Sequence, residues 1–228
     1  MLPPFGEGLW LAEGGEVAGG LGFLYPTRMA VIRLAAGGLV VWSPVALTEP
    51  LRRDMAELGP VRHIVAPNRL HNLFVAEWQR AFPAATTHVA PGLPERCPDL
   101  AYDARLSDTP PPDWEEEMDQ LLFPNRIATE AVFFHRPSRT ALFTDLLQCM
   151  PPRRFRGWRG LVARLDGMTG TSPQVPRKFR LAMTDRAAAR SARDRILGWA
   201  PERVVMAHGT LVETGGAAAI ARAFRWLG

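Results

Sequence analysis

Between Leu39 and Ala90 the chain passes repeatedly from short apolar runs to helically spaced ones, and this alternation narrows its possible folds more than any other feature. Leu39–Trp42, Val61–Ala66 and Thr86–Ala90 are short, apolar and rich in β-branched residues, as buried strands are. The first intervening segment carries the marks of a helix. Thr48 precedes Glu49 and Pro50, Leu51, Met55 and Leu58 recur at i, i+4 and i+7, and Gly59-Pro60 ends the run. In the second, Leu70, Phe74, Trp78, Ala81 and Phe82 keep helical spacing as far as Pro83. Strand, helix, strand, helix, strand in so short a span predicts an α/β layered fold. Ahead of it, Met29–Leu34 and Leu39–Trp42 flank Ala35-Ala36-Gly37-Gly38 and read as a hairpin.

The second half changes character after Pro110-Pro111-Pro112. Leu121–Phe123, Ala131–His135 and Ala141–Thr144 predict an antiparallel meander. An Arg-rich stretch follows Pro151-Pro152. Thr184 then stands where it would cap a helix with Ala188, Ala192, Ile196 and Trp199 on one face. Val204–Ala207 reads as a strand, and Ala217, Ile220, Ala221, Phe224 and Leu227 as a last helix. This order permits a β-rich then α-helical half repeated once, an α/β fold of four αββα layers. At 228 residues one domain spanning 1–228 is expected.

A 47% apolar and 22% charged composition excludes collagen-like, disordered and disulfide-scaffold classes. No apolar run reaches the about 18 residues of a membrane span, and the start lacks a signal peptide's basic and apolar regions, so no integral membrane association and a cytoplasmic location are expected. Cys97 and Cys149 are too few and too far apart for a framework or a metal clip, and read as reduced and structural. The net charge is +4, but 26 of the 27 cationic residues are Arg and only Lys178 is Lys. That bias reads as compositional, and it weakens any inference of nucleic acid as a partner.

An α/β fold presents ligand-binding groups at the carboxyl ends of its buried strands. Three such places carry polar residues here: Asn68, Arg69, His71 and Asn72 after Val61–Ala66, Asp145 after Ala141–Thr144, and His208 after Val204–Ala207. Two imidazoles and one carboxylate suit one Zn or non-haem Fe ion with open coordination positions.

These residues resemble a known superfamily. VRHIVAPNRLHNLFVAEWQRAFPAATTHVAP is similar to the strand, H-x-H-x-D-H loop and helix of the metallo-β-lactamase fold. SRTALFTDLL is similar to its strand ending in a metal-bridging Asp, and RVVMAHG to its last strand and terminal His. The resemblance covers nearly the whole chain and is strongest to a divergent, poorly characterised branch with P-N-x-L-H in place of the full motif. It implies a four-layer αββα sandwich of metallo-β-lactamase type. Aligned without gaps, the motif's slots hold Pro67, Asn68, Arg69, Leu70, His71 and Asn72, so its first two histidines are missing. No His lies between His88 and His135 to supply the third ligand of that first metal site. The family's other site maps onto His71, Asn72, Asp145 and His208, of which three can ligate. Ser43 stands where the family usually ends a strand with a structural Asp.

The resemblance therefore implies at most one metal, held by His71, Asp145 and His208, with His71 and Asp145 as the catalytic pair. Asn68, Arg69 and Asn72 are candidates to bind substrate. The function implied is a divergent metal-dependent hydrolase acting on a small ester, lactone, thioester or phosphoester. The alternative is a catalytically inactive binding or interaction protein on the same fold, possessing no metal, with His71 a hydrogen-bonded helix-start residue and Asp145 and His208 satisfied turn residues. Glu130, at the start of a strand near Asp145, is a candidate fourth ligand. His63 and His88 fall on apolar strands and read as core or edge residues, and His135 is expected far from Asp145. Ser138 and Ser172 lack a G-x-S-x-G context, and Gly19-Gly20-Leu21-Gly22 lacks that of a phosphate loop. Arg153 to Arg164, like the Arg186, Arg190, Arg193 and Arg195 series, reads as a solvated face or an oligomer contact, with a surface for nucleic-acid phosphates or anionic lipid as the alternative.

Overall fold

A computed structural model describes residues 2–228. The chain runs β1 (Pro4–Gly6), β2 (Leu9–Ala18), β3 (Leu24–Arg33), β4 (Leu39–Trp42), α1 (Glu49–Leu58), β5 (Val61–Ala66), α2 (Val75–Ala81), β6 (Thr86–Val89), α3 (Leu93–Arg96) and β7 (Ala104–Arg105). It continues through β8 (Met118–Phe123), β9 (Glu130–His135), β10 (Thr140–Phe143), α4 (Gly157–Asp166), α5 (Arg177–Leu181), α6 (Arg186–Gly198), β11 (Arg203–Met206) and α7 (Gly216–Ala223). Strands β1 to β7 form one mixed sheet in sequence order, and the other has the order β11-β10-β9-β8. β4, β5, β6 and β7 run parallel, and so do β10 and β11.

The period-two pattern of the strands builds the layers. Val40, Trp42 and Val65 turn inward to meet Phe133, Leu142 and Val205 between the sheets. Their neighbours Leu39, Val41 and Ile64 turn outward and pack with Leu51, Met55 and Trp78 of α1 and α2. Across the molecule Phe143, Val204 and Met206 do the same with Ala192 and Ile196 of α6 and Ile220 of α7. The result is the expected αββα order.

The expected hairpin, α1 and the β8–β9–β10 meander are all present. Thr48 caps α1 through a bond from the Leu51 N–H, 3.4 Å, and Leu51 and Met55 are its buried face. Three details differ from expectation. Asp185 rather than Thr184 caps α6, accepting from the Ala188 N–H at 2.9 Å. The helix expected from Leu70 begins only at Val75, because residues 67–74 form turns. Strand β2 lies in the Gly-rich opening, where Gly14 and Gly15 occupy an irregularity in its pairing with β3 between Glu13 and Glu16.

Among the described residues no helix is long and apolar enough to cross a membrane. Cys97 and Cys149 are free.

Three histidines other than His71 and His208 are buried. His63 and His88 share a ring-to-ring hydrogen bond of 3.2 Å against Trp114. His135 bonds Ser138 Oγ at 2.7 Å. Burial lowers His63 and takes His88 and His135 down to about 4, with the His63 charge adding to the effect at His88. A histidine whose pKa falls on folding binds fewer protons than it does unfolded, so its contribution is intact above about pH 6.5 and is lost as the pH falls toward 4. Unfolding free energy from urea titrations should therefore decline below about pH 6.5, by up to about 1.4 kcal/mol per pH unit near pH 5 for each of His88 and His135. A flat profile between pH 7 and 5 would contradict this.

Candidate metal centre

The site forms where three strands end. β10 and β11 are parallel and pair Phe143 with Met206, so the residues that follow, Thr144-Asp145 and Ala207-His208, leave side by side. β5 belongs to the other sheet, and its exit is tied to this one by the Ala131 N–H, which donates to Pro67 O at 2.7 Å. His71 reaches the same place from the turns after β5. Asp145 Oδ2 lies 3.2 Å from His71 Nε2, and Asp145 Oδ1 lies 3.5 Å from His208 Nε2. One ligand atom from each residue lies within 4.8 Å of the other two, the one such His/Cys/Asp/Glu group among the described residues.

The other nitrogen of each ring is already used. His208 Nδ1 is 2.6 Å from Pro26 O, and since a carbonyl only accepts, the ring must donate there. His71 Nδ1 is 2.8 Å from Ser43 Oγ, which also reaches Arg28 O at 3.3 Å. A chain of donation from His71 Nδ1 to Ser43 to Arg28 O satisfies every group. Both imidazoles then present an Nε2 lone pair toward a carboxylate. Three acceptors facing one another repel unless a cation, protons or a metal ion, stands among them. Burial alone would raise the Asp145 carboxyl, but when protons are the cation, the charge of the His71 and His208 rings and their hydrogen bonds hold it well below the usual carboxylate range.

Two further residues fix Asp145. Asn68 is fully buried, and its Nδ2 donates to Thr144 Oγ1 at 2.8 Å and Asp145 Oδ2 at 2.9 Å. Its Oδ1 accepts from the N–H groups of Leu70, 2.7 Å, and His71, 3.2 Å. This one amide ties the His71 turn to the Asp145 strand end and has no surface open to a ligand. Glu130, considered above as a fourth ligand, is a buried anchor instead. It accepts from the N–H groups of Thr144, Asp145 and Leu146 at 2.8 to 2.9 Å. Burial, with the Asp145 charge beside it, raises its carboxyl.

Arg69 and Asn72 are half-buried. Asn72 Nδ2 donates to Arg69 O at 2.8 Å, and Arg69 Nη2 reaches Arg126 O at 3.5 Å. His135 pairs with Thr140 at the far end of β10 from Asp145, as expected. Cavities of about 510 and 420 Å³ lie elsewhere, one beside Pro60 and Val61 at the opposite end of β5 and one among Ser172, Arg180 and Trp226.

Sequence reading missed several contributors. Arg28, buried, donates from Nη1 to Met206 O at 2.6 Å and Gly209 O at 2.8 Å, clamping the turn that carries His208, while its Nε pairs with Glu13. Gly209 sits at φ +108° with Cys149 O only 2.4 Å from where a Cβ would be, so no side chain fits there. Tyr25 packs on His208 with ring centroids 5.4 Å apart. Lys178, the chain's single lysine, stands 5.8 Å from the Tyr25 ring centroid and 3.6 Å from Asp166 Oδ2. Its uniqueness in the composition was the one available signal.

Solved structures similar to this chain include metallo-β-lactamases. The structures most similar to this chain include the metallo-β-lactamase of Pontibacter korlensis (TM-score 0.63, 10% identity, covering 100% of this chain and 98% of that one). FIM-1 from Pseudomonas aeruginosa in its mono-zinc form matches at TM-score 0.65 and 12% identity, over 100% and 96% of the two chains. DIM-1 metallo-β-lactamase matches at 0.67 and 9%, over 100% and 96%. The protein therefore has the metallo-β-lactamase fold, with two mixed sheets flanked by helices. Residues 16–155, more than half of the chain, match the family described as Domain of unknown function (DUF4336), and the chain belongs to that family. No curated protein matches the sequence.

Replacing Asn68 with Leu, which is similar in size, would strand the Asp145 carboxylate and two backbone N–H groups. It should lower unfolding free energy by about 2–4 kcal/mol in urea titrations. A loss below about 1 kcal/mol would contradict the role given to this amide.

Proposed function

We propose that this protein is a metal-dependent hydrolase that works with a single ion held by His71, Asp145 and His208. The observation that carries this reading is the convergence of three acceptors whose remaining polar atoms are all engaged by protein groups. The donor set fits the ion. Two imidazole nitrogens and a carboxylate are the ligands Zn or Fe(II) takes at sites that keep positions open. His71 Nε2 lies 3.2 Å from Asp145 Oδ2, close to the ~3.3 Å edge of a tetrahedron with bonds of about 2.0 Å, and one ligand atom from each of the three residues lies within 4.8 Å of the others. With Pro67 and Arg69 in the two histidine slots of the family's first metal site, a second ion has no ligands there.

A bound ion would supply Lewis acidity toward a carbonyl or phosphoryl oxygen and make water more acidic near pH 7. The rest falls to the protein. Pro26 O and Ser43 keep both rings in the tautomer that leaves Nε2 free, and Asn68 turns one Asp145 oxygen toward His71. Asp145 and His71 are the groups closest to a reacting oxygen. Of the residues expected to touch substrate, Arg69 and Asn72 serve as rim contacts for a small ester, lactone, thioester or phosphoester, and Asn68 acts by orienting His71 and Asp145.

Elemental analysis of protein purified without added metal tests this reading. About one ion per chain is expected in the parent, with at least a tenfold loss of affinity in Asp145→Asn and in His208→Ala. Sub-stoichiometric metal in the parent, unaltered by either change, would overturn it and leave a non-catalytic binding protein on this fold.

A further inference from the structure

Helix α4 reverses the rule that α1, α6 and α7 obey. Its apolar residues Trp158, Leu161, Val162 and Leu165 stand at i, i+3, i+4 and i+7, within an arc of about 100°. That stripe faces water: the four are 53, 51, 39 and 54% exposed, and Ala163 alone is buried, against Phe23, Met150 and Met168. The tip between β2 and β3 extends the stripe with Leu21 and Leu24, 75 and 47% exposed. It is fastened to the helix by Arg159 Nε, which donates to Leu21 O at 3.0 Å, and by an edge contact between Phe23 and Trp158 at 6.1 Å.

A groove of about 440 Å³ opens beside the stripe, lined by Arg153, Arg156 and Arg164 together with Phe155 and Leu161. Arg154 next to it is paired with Glu16, but among the described residues none of those three guanidiniums has a carboxylate partner. The helix begins at the same place with no side-chain cap and no acidic residue in its first turn. Its free N–H groups and positive dipole end add to the field of the three arginines.

Exposed apolar surface set beside unneutralised cations is the complement of one material, the interface of an anionic bilayer, where acyl chains and phosphates lie at adjacent depths. A second copy of this chain is a poor occupant, since a two-fold axis would set arginine groove against arginine groove. A nucleic acid would leave Leu161, Val162 and Leu165 in water. We propose that α4 and the β2–β3 tip form a peripheral docking surface for anionic phospholipid, with the stripe among the outer acyl carbons and a headgroup phosphate in the arginine groove. Tyr25 touches both Phe155 and His208, so this surface and the His71, Asp145 and His208 site are one side chain apart.

Co-sedimentation of the full chain with vesicles tests the surface independently of any metal or activity. Binding is expected to phosphatidylcholine vesicles containing phosphatidylglycerol, weak to pure phosphatidylcholine, and reversed by salt. Leu161→Glu with Leu165→Glu should abolish it. Arg153→Gln, Arg156→Gln and Arg164→Gln together should weaken partitioning about a hundredfold. All five residues are exposed, and an unchanged circular dichroism spectrum confirms that the variants fold. The proposal is overturned by absence of binding to anionic vesicles at low salt, or by binding that the two glutamates leave intact, the mark of a generic polyanion site. It is also overturned by a dimer in sedimentation equilibrium that the same glutamates dissociate.

Discussion

The whole arrangement depends on one buried hydrogen-bonded knot in which Asn68 joins the turn after β5 to the end of β10. A carboxylate cannot be buried at a strand end unless its charge and lone pairs are answered. Here the answers come from both sheets: Asn68 from one, and His71 and His208, which approach from different strands, for the rest. Glu130 takes the N–H groups of the three residues at the bend and so fixes the direction in which Asp145 leaves β10. Removing any one of these would leave another polar group buried without a partner, so the geometry behaves as a unit.

Control of the two imidazoles lies one layer further out. Pro26 O and Ser43 decide which nitrogen of each ring carries its proton, and both come from the β3–β4 region, where Arg28 also clamps the turn bearing His208. The hairpin that the sequence presents as plain architecture is therefore the frame of the site. Ser43, with φ +56° just after β4, supplies the oxygen that His71 needs.

How much of this was legible depended on burial. Strands such as Leu39–Trp42 and Val204–Met206 are covered on both faces and read as continuous apolar runs, which located the strand ends and the three candidate ligands with them. Strand β2 was hidden because Gly14 and Gly15 break its pattern at a pairing irregularity. The segment 67–74 misread as helix because Leu70 and Phe74 happen to keep helical spacing. Asn68 Oδ1 captures the N–H groups of Leu70 and His71 and holds a turn there instead, a local competition that periodicity cannot register. Helix α4 was obscured in the opposite sense. Its spacing is helical, but its apolar side faces solvent, and the glycines and arginines around it look like a linker.

The most direct measurement is a crystal structure with anomalous diffraction collected at the absorption edge of the metal retained through purification. The account predicts a single peak about 2.0–2.2 Å from Nε2 of His71, Nε2 of His208 and one Asp145 oxygen, with His208 Nδ1 still on Pro26 O. Metal-containing crystals with no peak at that point, and imidazoles still hydrogen-bonded directly to Asp145, would contradict it.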